Sequence, residues 1–283
     1  MSYSSDIKEE LSKINNFKNV VLIESEFLGY VLTGNVSSDE SKVEFVTENE
    51  FNIERFYKIL FNLQIDYEPN KIGKNFVASI SRNDVEERIK RIKIDEISEI
   101  TKSIIRGSFL GAGSITDPNK SYHLEILFGN RENAEYILNL SKIYGITLKL
   151  IEYKEKYMLY IKDGEEISKF LACIGANKAV LEFEDIRIFK EMKNNVNRLV
   201  NCETANLNKT VNAAVDQIED IKLLKSLNKF DDMPIELREI AILRLEHPEA
   251  TLKELGQMLV EPIGKSGVNH RLKKIHRLAE ENR

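Results

Sequence analysis

Gly107, Ser108, Gly111, Ala112 and Gly113 place five small residues within seven positions, in the run Ile105 to Pro118. Upstream, Ile97, Ile100, Ile104 and Ile105 recur at helical spacing. Glycine in a helix interior costs about 1 kcal/mol relative to alanine. The segment must recover that cost, and close approach of a second helix backbone is the gain that small residues permit. Beyond the glycines, Tyr122 to Ile126 alternates as a half-buried strand does. This pattern predicts a tightly packed helix that feeds a hairpin.

A matching stretch lies earlier. Glu26 to Val36 carries an apolar helix pattern with Gly29, a terminal Gly34 and a strand signal after it. Gly34 and Gly113 are roughly 80 residues apart, and the strand-like runs Phe76–Ile80 and Tyr157–Ile161 keep about that offset. Each half then reads helix, hairpin, helix, hairpin, helix. In the first half the helices are expected at 19–33, 50–63 and 84–92, after a short helix at 7–14 capped by Ser5-Asp6. The hairpins fall at 35–46 and 65–80. In the second half the helices are expected at 95–113, 132–144 and 165–174, with hairpins at 114–128 and 146–161. The fold class is α+β: a pseudo-two-fold domain over 1–177, with repeats at about 18–94 and 95–177, docked through its two small-residue helices.

Residues 178–230 are polar and asparagine-rich, without strand alternation. They read as a helical connector broken around Cys202 to Asn208. Residues 231–283 form an all-α block. Pro234 opens its first helix and Pro248 closes it. Thr251-Leu252-Lys253-Glu254 is a capping box for the second, and Ser266 is positioned to cap the third. On that last helix Val268, Leu272, Ile275 and Ala279 share one arc, with basic residues opposite. Between Lys265 and Arg283 there are six Lys or Arg against Glu280 and Glu281, in a chain whose net charge is −5. Nucleic-acid affinity must therefore come from a local face. Three short helices with this charge asymmetry match the helix-turn-helix layout, in which the last helix enters the major groove. Ser266, Asn269 and His270 lie where base edges are reached, and Lys273, Lys274 and Arg277 suit phosphates. Thr251, Lys253, Lys265, Gly267 and Arg271 complete the expected DNA-binding set. The expected partner is double-stranded DNA.

Other chemistries are poorly supported. Gly111-Ala112-Gly113 lacks the third glycine and the preceding strand of a dinucleotide site. His123 reads as a hydrogen-bonded structural histidine, and His247, His270 and His276 show no metal-ligand spacing. No nucleophile–base pair, cofactor motif or metal cluster is visible. Cys173 and Cys202 are too few for a disulfide framework. There is no transmembrane-length apolar run and no signal-peptide pattern at Met1 to Glu10, so a reduced cytoplasmic setting at the nucleoid is expected.

The amino-terminal pattern resembles the LAGLIDADG homing endonucleases, whose paired glycine-rich helices bring one acid from each half to the scissile phosphates. Setting Gly34 and Gly113 at that motif's final glycine puts Thr33 and Ala112 at the acid positions. Neither holds a metal ion, so the resemblance implies a scaffold without its nuclease. The whole chain resembles the WhiA family of bacterial regulators. That likeness is carried by Ser4–Leu11, Arg106–Ile126, Asn206–Ala214, Arg244–Glu249 and Ser266–Leu272. It implies a DNA-binding protein acting in sporulation control in actinobacteria, or in cell division and chromosome segregation in Firmicutes. The Lys/Ile/Asn-rich composition favours the second setting. It leaves room for a regulatory protein partner on the amino-terminal domain. Two other readings compete with it: an endonuclease using displaced acids such as Glu24, Glu26 or Asp117, and a protein-interaction scaffold.

Overall fold

A computed structural model describes residues 2–34, 36–38, 41–91 and 99–283. The chain divides into two compact units, Met1–Glu191 and Met192–Arg283. The first opens with α1 (Tyr3–Ser12), capped by Ser2 and not by the expected Ser5-Asp6; Ser5 N donates to Ser2 Oγ. Two repeats follow. The first runs α2 (Val20–Val31), β1 (Val36–Ser38), β2 (Lys42–Thr47), α3 (Glu50–Asn62), β3 (Tyr67–Ile72), β4 (Asn75–Ser81) and α4 (Arg82–Arg91). The second runs α5 (Glu99–Ala112), β5 (Gly113–Ile115), β6 (Leu124–Phe128), α6 (Arg131–Ile143), β7 (Lys149–Tyr153), β8 (Lys156–Ile161) and α7 (Gly164–Ile174). The expected start of α5 at Asp95 lies outside the described residues.

Each repeat makes one antiparallel four-stranded sheet, ordered β1-β2-β4-β3 and β5-β6-β8-β7. The central registers correspond, with Phe45 opposite Ala78 in the first sheet and Ile126 opposite Leu159 in the second. In β2 and β6 alternate side chains are buried, as in a sheet with one face on the core.

α2 and α5 pack face to face as the small-residue pattern predicts, and two glycines account for the closeness. A Cβ added to Gly29 would fall on the Ile104 carbonyl oxygen, and one added to Gly107 on the Glu26 carbonyl oxygen; the latter would also lie 3.1 Å from Gly29 Cα. The backbones therefore meet at one point, Gly29 on Gly107. A second pair of contacts repeats the pseudo-symmetry. Asn49 caps α3 and Asn130 caps α6, each accepting from the amide three residues on, of Asn52 and Asn133. Those two asparagines then reach into the other repeat. Asn52 Nδ2 donates to Leu110 O at 2.6 Å, and Asn133 Nδ2 donates to Leu32 O at 3.1 Å. Each satisfies a carbonyl near the end of the partner's glycine-bearing helix, where no intrahelical donor remains.

α8 runs without interruption from Asn177 to Ser226, so the break expected at Cys202 to Asn208 is absent. Asparagine is only a few tenths of a kcal/mol poorer than average in a helix, too little to stop one already nucleated. Its first turn is capped by Glu10, which accepts from the amides of Lys178 and Ala179. In the second unit, Ile221 and Leu224 of α8 share a core with α9 (Ile235–Glu246), α10 (Leu252–Met258) and α11 (Lys265–Glu280). Among the described residues no helix is long and apolar enough to cross a membrane.

Candidate nucleic-acid interface

α9, α10 and α11 form a trihelical unit in which α11 buries one stripe and presents the other. Val268, Leu272, Ile275 and Ala279 are buried in the core. Ser266, Asn269, His270, Lys273, Lys274 and Arg277 are exposed. At about 100° per residue these six occupy a single arc opposite the stripe. The arc is polar and cationic, and its one carboxylate, Glu280 in the last turn, pairs with Arg283.

The geometry of the turn before α11 departs from expectation at its cap. The N-cap is Gly264, in extended conformation and without a side-chain hydrogen bond, so Ser266 is not the cap. The reason lies in the connection. Ile263 N donates to Gly256 O at 3.0 Å, and a Cβ on Gly256 would fall on the Ile263 carbonyl oxygen. The chain is thereby pinned against α10 until Gly264, and the helix begins one residue later. Thr251 does cap α10: its Oγ1 accepts from Glu254 N at 3.3 Å while Glu254 Oε2 accepts from Thr251 N at 2.7 Å. That reciprocal bonding is the expected capping box.

Two predicted residues lie off the exposed arc. Arg271 is half-buried, donates from Nη1 to Glu236 O at 3.4 Å, and lines a groove with Glu236, Glu239 and Glu261. Gly267 packs on Ile263, where an added Cβ would lie 3.0 Å from Cδ1. Thr251, Lys253 and Lys265 line a cleft that Asn269, at the edge of the arc, also borders, together with α8 residues that the pattern of the last helix did not indicate. His276 flanks the arc beside Asn269; its Nδ1 lies 2.7 Å from Asp220 Oδ2, and Arg283 Nη2 donates to Asp220 Oδ1 at 3.0 Å.

In the first unit the positions corresponding to the homing-endonuclease acids sit side by side at the ends of the glycine-bearing helices. Thr33 is 3% exposed and its Oγ1 donates to Tyr30 O at 2.8 Å. A Cβ on Gly111 would lie 2.5 Å from that same Oγ1. Ala112 ends α5 beside it, 7% exposed. A hydroxyl bonded to backbone and a methyl group do not fit a divalent cation, which takes charged oxygen ligands. No step through a metal follows from this corner.

The displaced acids are occupied elsewhere. Glu26 is fully buried; Arg55 binds both of its oxygens, Arg106 Nε donates to Oε2 at 3.1 Å, and Asn16 Nδ2 donates to Oε2 at 3.2 Å. Burial pushes its carboxyl up, but the two guanidinium groups outweigh burial and hold it below the ordinary carboxylate value. Glu24 pairs with Arg88 at 3.0 Å, and Asp117 accepts from the Asn119 amide at 2.8 Å. His123 Nε2 lies 3.0 Å from Glu125 Oε2, its partner two residues along the strand. Neither cysteine is in a disulfide.

The model of the WhiA LAGLIDADG-like domain matches residues 101–193, and that of the WhiA C-terminal HTH domain matches 196–279. The probable cell division protein WhiA of Clostridium acetobutylicum is 41% identical, covering 100% of this chain and 99% of the relative. That of Ruminiclostridium cellulolyticum is 42% identical, covering 99% and 97%. Among solved structures, full-length DUF199/WhiA from Thermatoga maritima superposes with a TM-score of 0.65 at 29% identity, over 99% of both chains. The second repeat and the trihelical unit fall under the matched models, the relatives match the chain nearly end to end, and the chain belongs to the WhiA family.

Proposed function

We propose that the protein binds double-stranded DNA through α11 and acts as a non-catalytic regulator in cell division and chromosome segregation. The observation that carries the DNA reading is the segregation of α11. Its apolar stripe is consumed by the core, while Ser266, Asn269, His270, Lys273, Lys274 and Arg277 form an exposed cationic arc with no acid before Glu280 in the last turn. A helix of 16 residues with that arc fits the major groove, where short polar side chains near its start read base edges and later cations neutralise phosphates. The cell-division setting is supported by the printed names of relatives that match nearly end to end. A nucleoid location in the cytoplasm follows from the same reading. The absence of cutting is supported by Thr33 and Ala112 at the helix ends and by the enclosure of Glu26.

The test is binding of genomic fragments across a salt series. The double variant Lys273→Ala/Lys274→Ala should bind all sequences more weakly, with the slope of log K against log salt falling by about 2 in magnitude. Unchanged affinity and slope would refute the assignment. A plasmid-nicking assay with Mg²⁺ or Mn²⁺ should show no cutting; metal-dependent cutting lost in Asp117→Asn would replace this reading with the nuclease one.

A further inference from the structure

A cleft of about 460 Å³ opens in the second unit between α8, the start of α10 and the start of α11. Its lining includes Lys209, Arg244, Lys253 and Lys265 and no carboxylate, although acids outnumber bases in the whole chain. Lys209, Thr210, Ala213, Ala214 and Gln217 come from one face of α8, and the two alanines leave that wall low.

The floor is the decisive part. Arg244 is 2% exposed, and among the described residues it has no ion pair. Its Nη1 donates to Pro248 O at 3.2 Å and Ala250 O at 2.7 Å, while Nε has no acceptor. Burial alone shifts this guanidinium downward from its ordinary value. A buried cation is costly unless an anion compensates it, and inside a low-dielectric wall its field extends into the adjoining space. Two further features point the same way. The buried amide oxygen of Gln217 has no donor, so its carboxamide can turn an NH₂ group into the cleft. The first turn of α11, which starts at Lys265 on the rim, has no side-chain cap, leaving amide donors and the positive end of a long helix at the opening.

We propose that this cleft is a phosphate site, and that the group it seats is a backbone phosphodiester of the duplex bound by α11. This inference rests on the DNA-binding reading above and extends the interface to α8, adding Lys209, Thr210 and Gln217 to contacts otherwise confined to the three short helices. Thr251, Lys253, Lys265 and Asn269 then act at this phosphate, while Lys273, Lys274 and Arg277 act along the groove. The asparagine-lysine run at Asn206 to Ala214 gains a physical role: it is the wall against which the phosphate rests.

The full chain is tested as Lys209→Ala and Gln217→Glu, beside Lys273→Ala/Lys274→Ala. Lys209 is exposed, so its truncation leaves the fold intact; thermal unfolding verifies the second variant. Duplex affinity should drop about tenfold in each cleft variant, as for loss of a charge-assisted contact. The salt slope of Lys209→Ala should fall by about 0.9, one phosphate's share. If the Lys273/Lys274 variant is weakened but both cleft variants bind as the wild type, the phosphodiester site is refuted and the α11 assignment stands. If the Lys273/Lys274 variant is unaffected, the DNA reading fails and this inference fails with it. Inorganic phosphate is also titrated calorimetrically into DNA-free protein. Saturable binding lost in Gln217→Glu, with duplex affinity unmoved, would assign the cleft to a soluble phosphorylated ligand and overturn the duplex assignment.

Discussion

Replacing Glu26 by glutamine removes one charge from the middle of the α2–α5 interface while keeping the shape and one hydrogen-bond acceptor. The side chains of Glu26 and Arg55 are 1% and 0% exposed, and that of Arg106 is 7% exposed. The carboxylate compensates both guanidinium groups, so its neutralisation leaves two buried cations without a counter-charge. Breaking a buried pair in this way costs about 3–5 kcal/mol, because the remaining charge can neither rehydrate nor find a partner. Glutamine retains an oxygen for one arginine, which places Glu26→Gln near the lower end, at about 3 kcal/mol. For a unit of this size that corresponds to a fall in Tm of roughly 6–12 °C.

The pH dependence separates this cause from a packing defect. The folded carboxyl titrates below its ordinary value of 4.5, so its stabilisation is complete above that value and is lost as the pH falls through the depressed one. Glu26→Gln has nothing to lose there. Denaturant unfolding of wild type and variant should therefore show a gap of about 3 kcal/mol near pH 7 that narrows toward about pH 3. A gap below about 1 kcal/mol at neutral pH, or one of the same size at both pH values, would refute the charge argument.

Gly107→Ala should cost more than about 3 kcal/mol or prevent folding, because its new Cβ meets backbone at Glu26 that cannot move without parting the helices. Gly129→Ala, with open space around the added carbon, should stay within about 1 kcal/mol in the same unfolding assay. Asp220→Ala should loosen the second unit by about 1–2 kcal/mol, since Asp220 is buried while its partners His276 and Arg283 are half exposed. Faster amide exchange at Ile221 and Leu224, with no change in the first unit, is the expected sign.

What was legible in the sequence followed from local rules. The glycine clusters announced a close helix pair because no cheaper explanation exists for that many small residues in an apolar helix. The capping box at Thr251 and the stripe from Val268 to Ala279 are likewise complete within one or two turns. The continuity of α8 is not legible in so polar a run, because asparagine is a poor helix former yet too weak to interrupt a formed helix. The cap of α11 was missed because the Ile263–Gly256 contact, not serine's preference, decides where that helix starts. The cluster around Glu26 and the cleft around Arg244 draw on segments far apart in the chain, so no window could show them. A local trace existed for the Asn52 and Asn133 bridges: Asn-x-x-Asn occurs at 49–52 and again at 130–133, at the repeat offset.

The position of the acid decides what the paired helices can do. A carboxylate assists phosphodiester cleavage only where it can hold a metal ion against the scissile phosphate, which requires an open place at the helix ends. Here Glu26 lies seven residues before Thr33, roughly 10 Å back along the helix, and is closed in by Arg55, Arg106 and Asn16. At the ends themselves, Thr33 spends its hydroxyl on the Tyr30 carbonyl and packs on Gly111. Each feature that preserves the two-fold body is a packing requirement: backbone contact at Gly29 and Gly107, reciprocal asparagine bridges, and one ionised acid between two guanidinium groups. None of them needs a reaction to explain it. The second unit shows the opposite arrangement, with Arg244 buried beneath a cleft of lysines, bonded to two carbonyls and, among the described residues, without a counter-charge. A buried charge with no internal anion among the described residues is explained by an external one, and a phosphate is the anion that the surrounding donors fit.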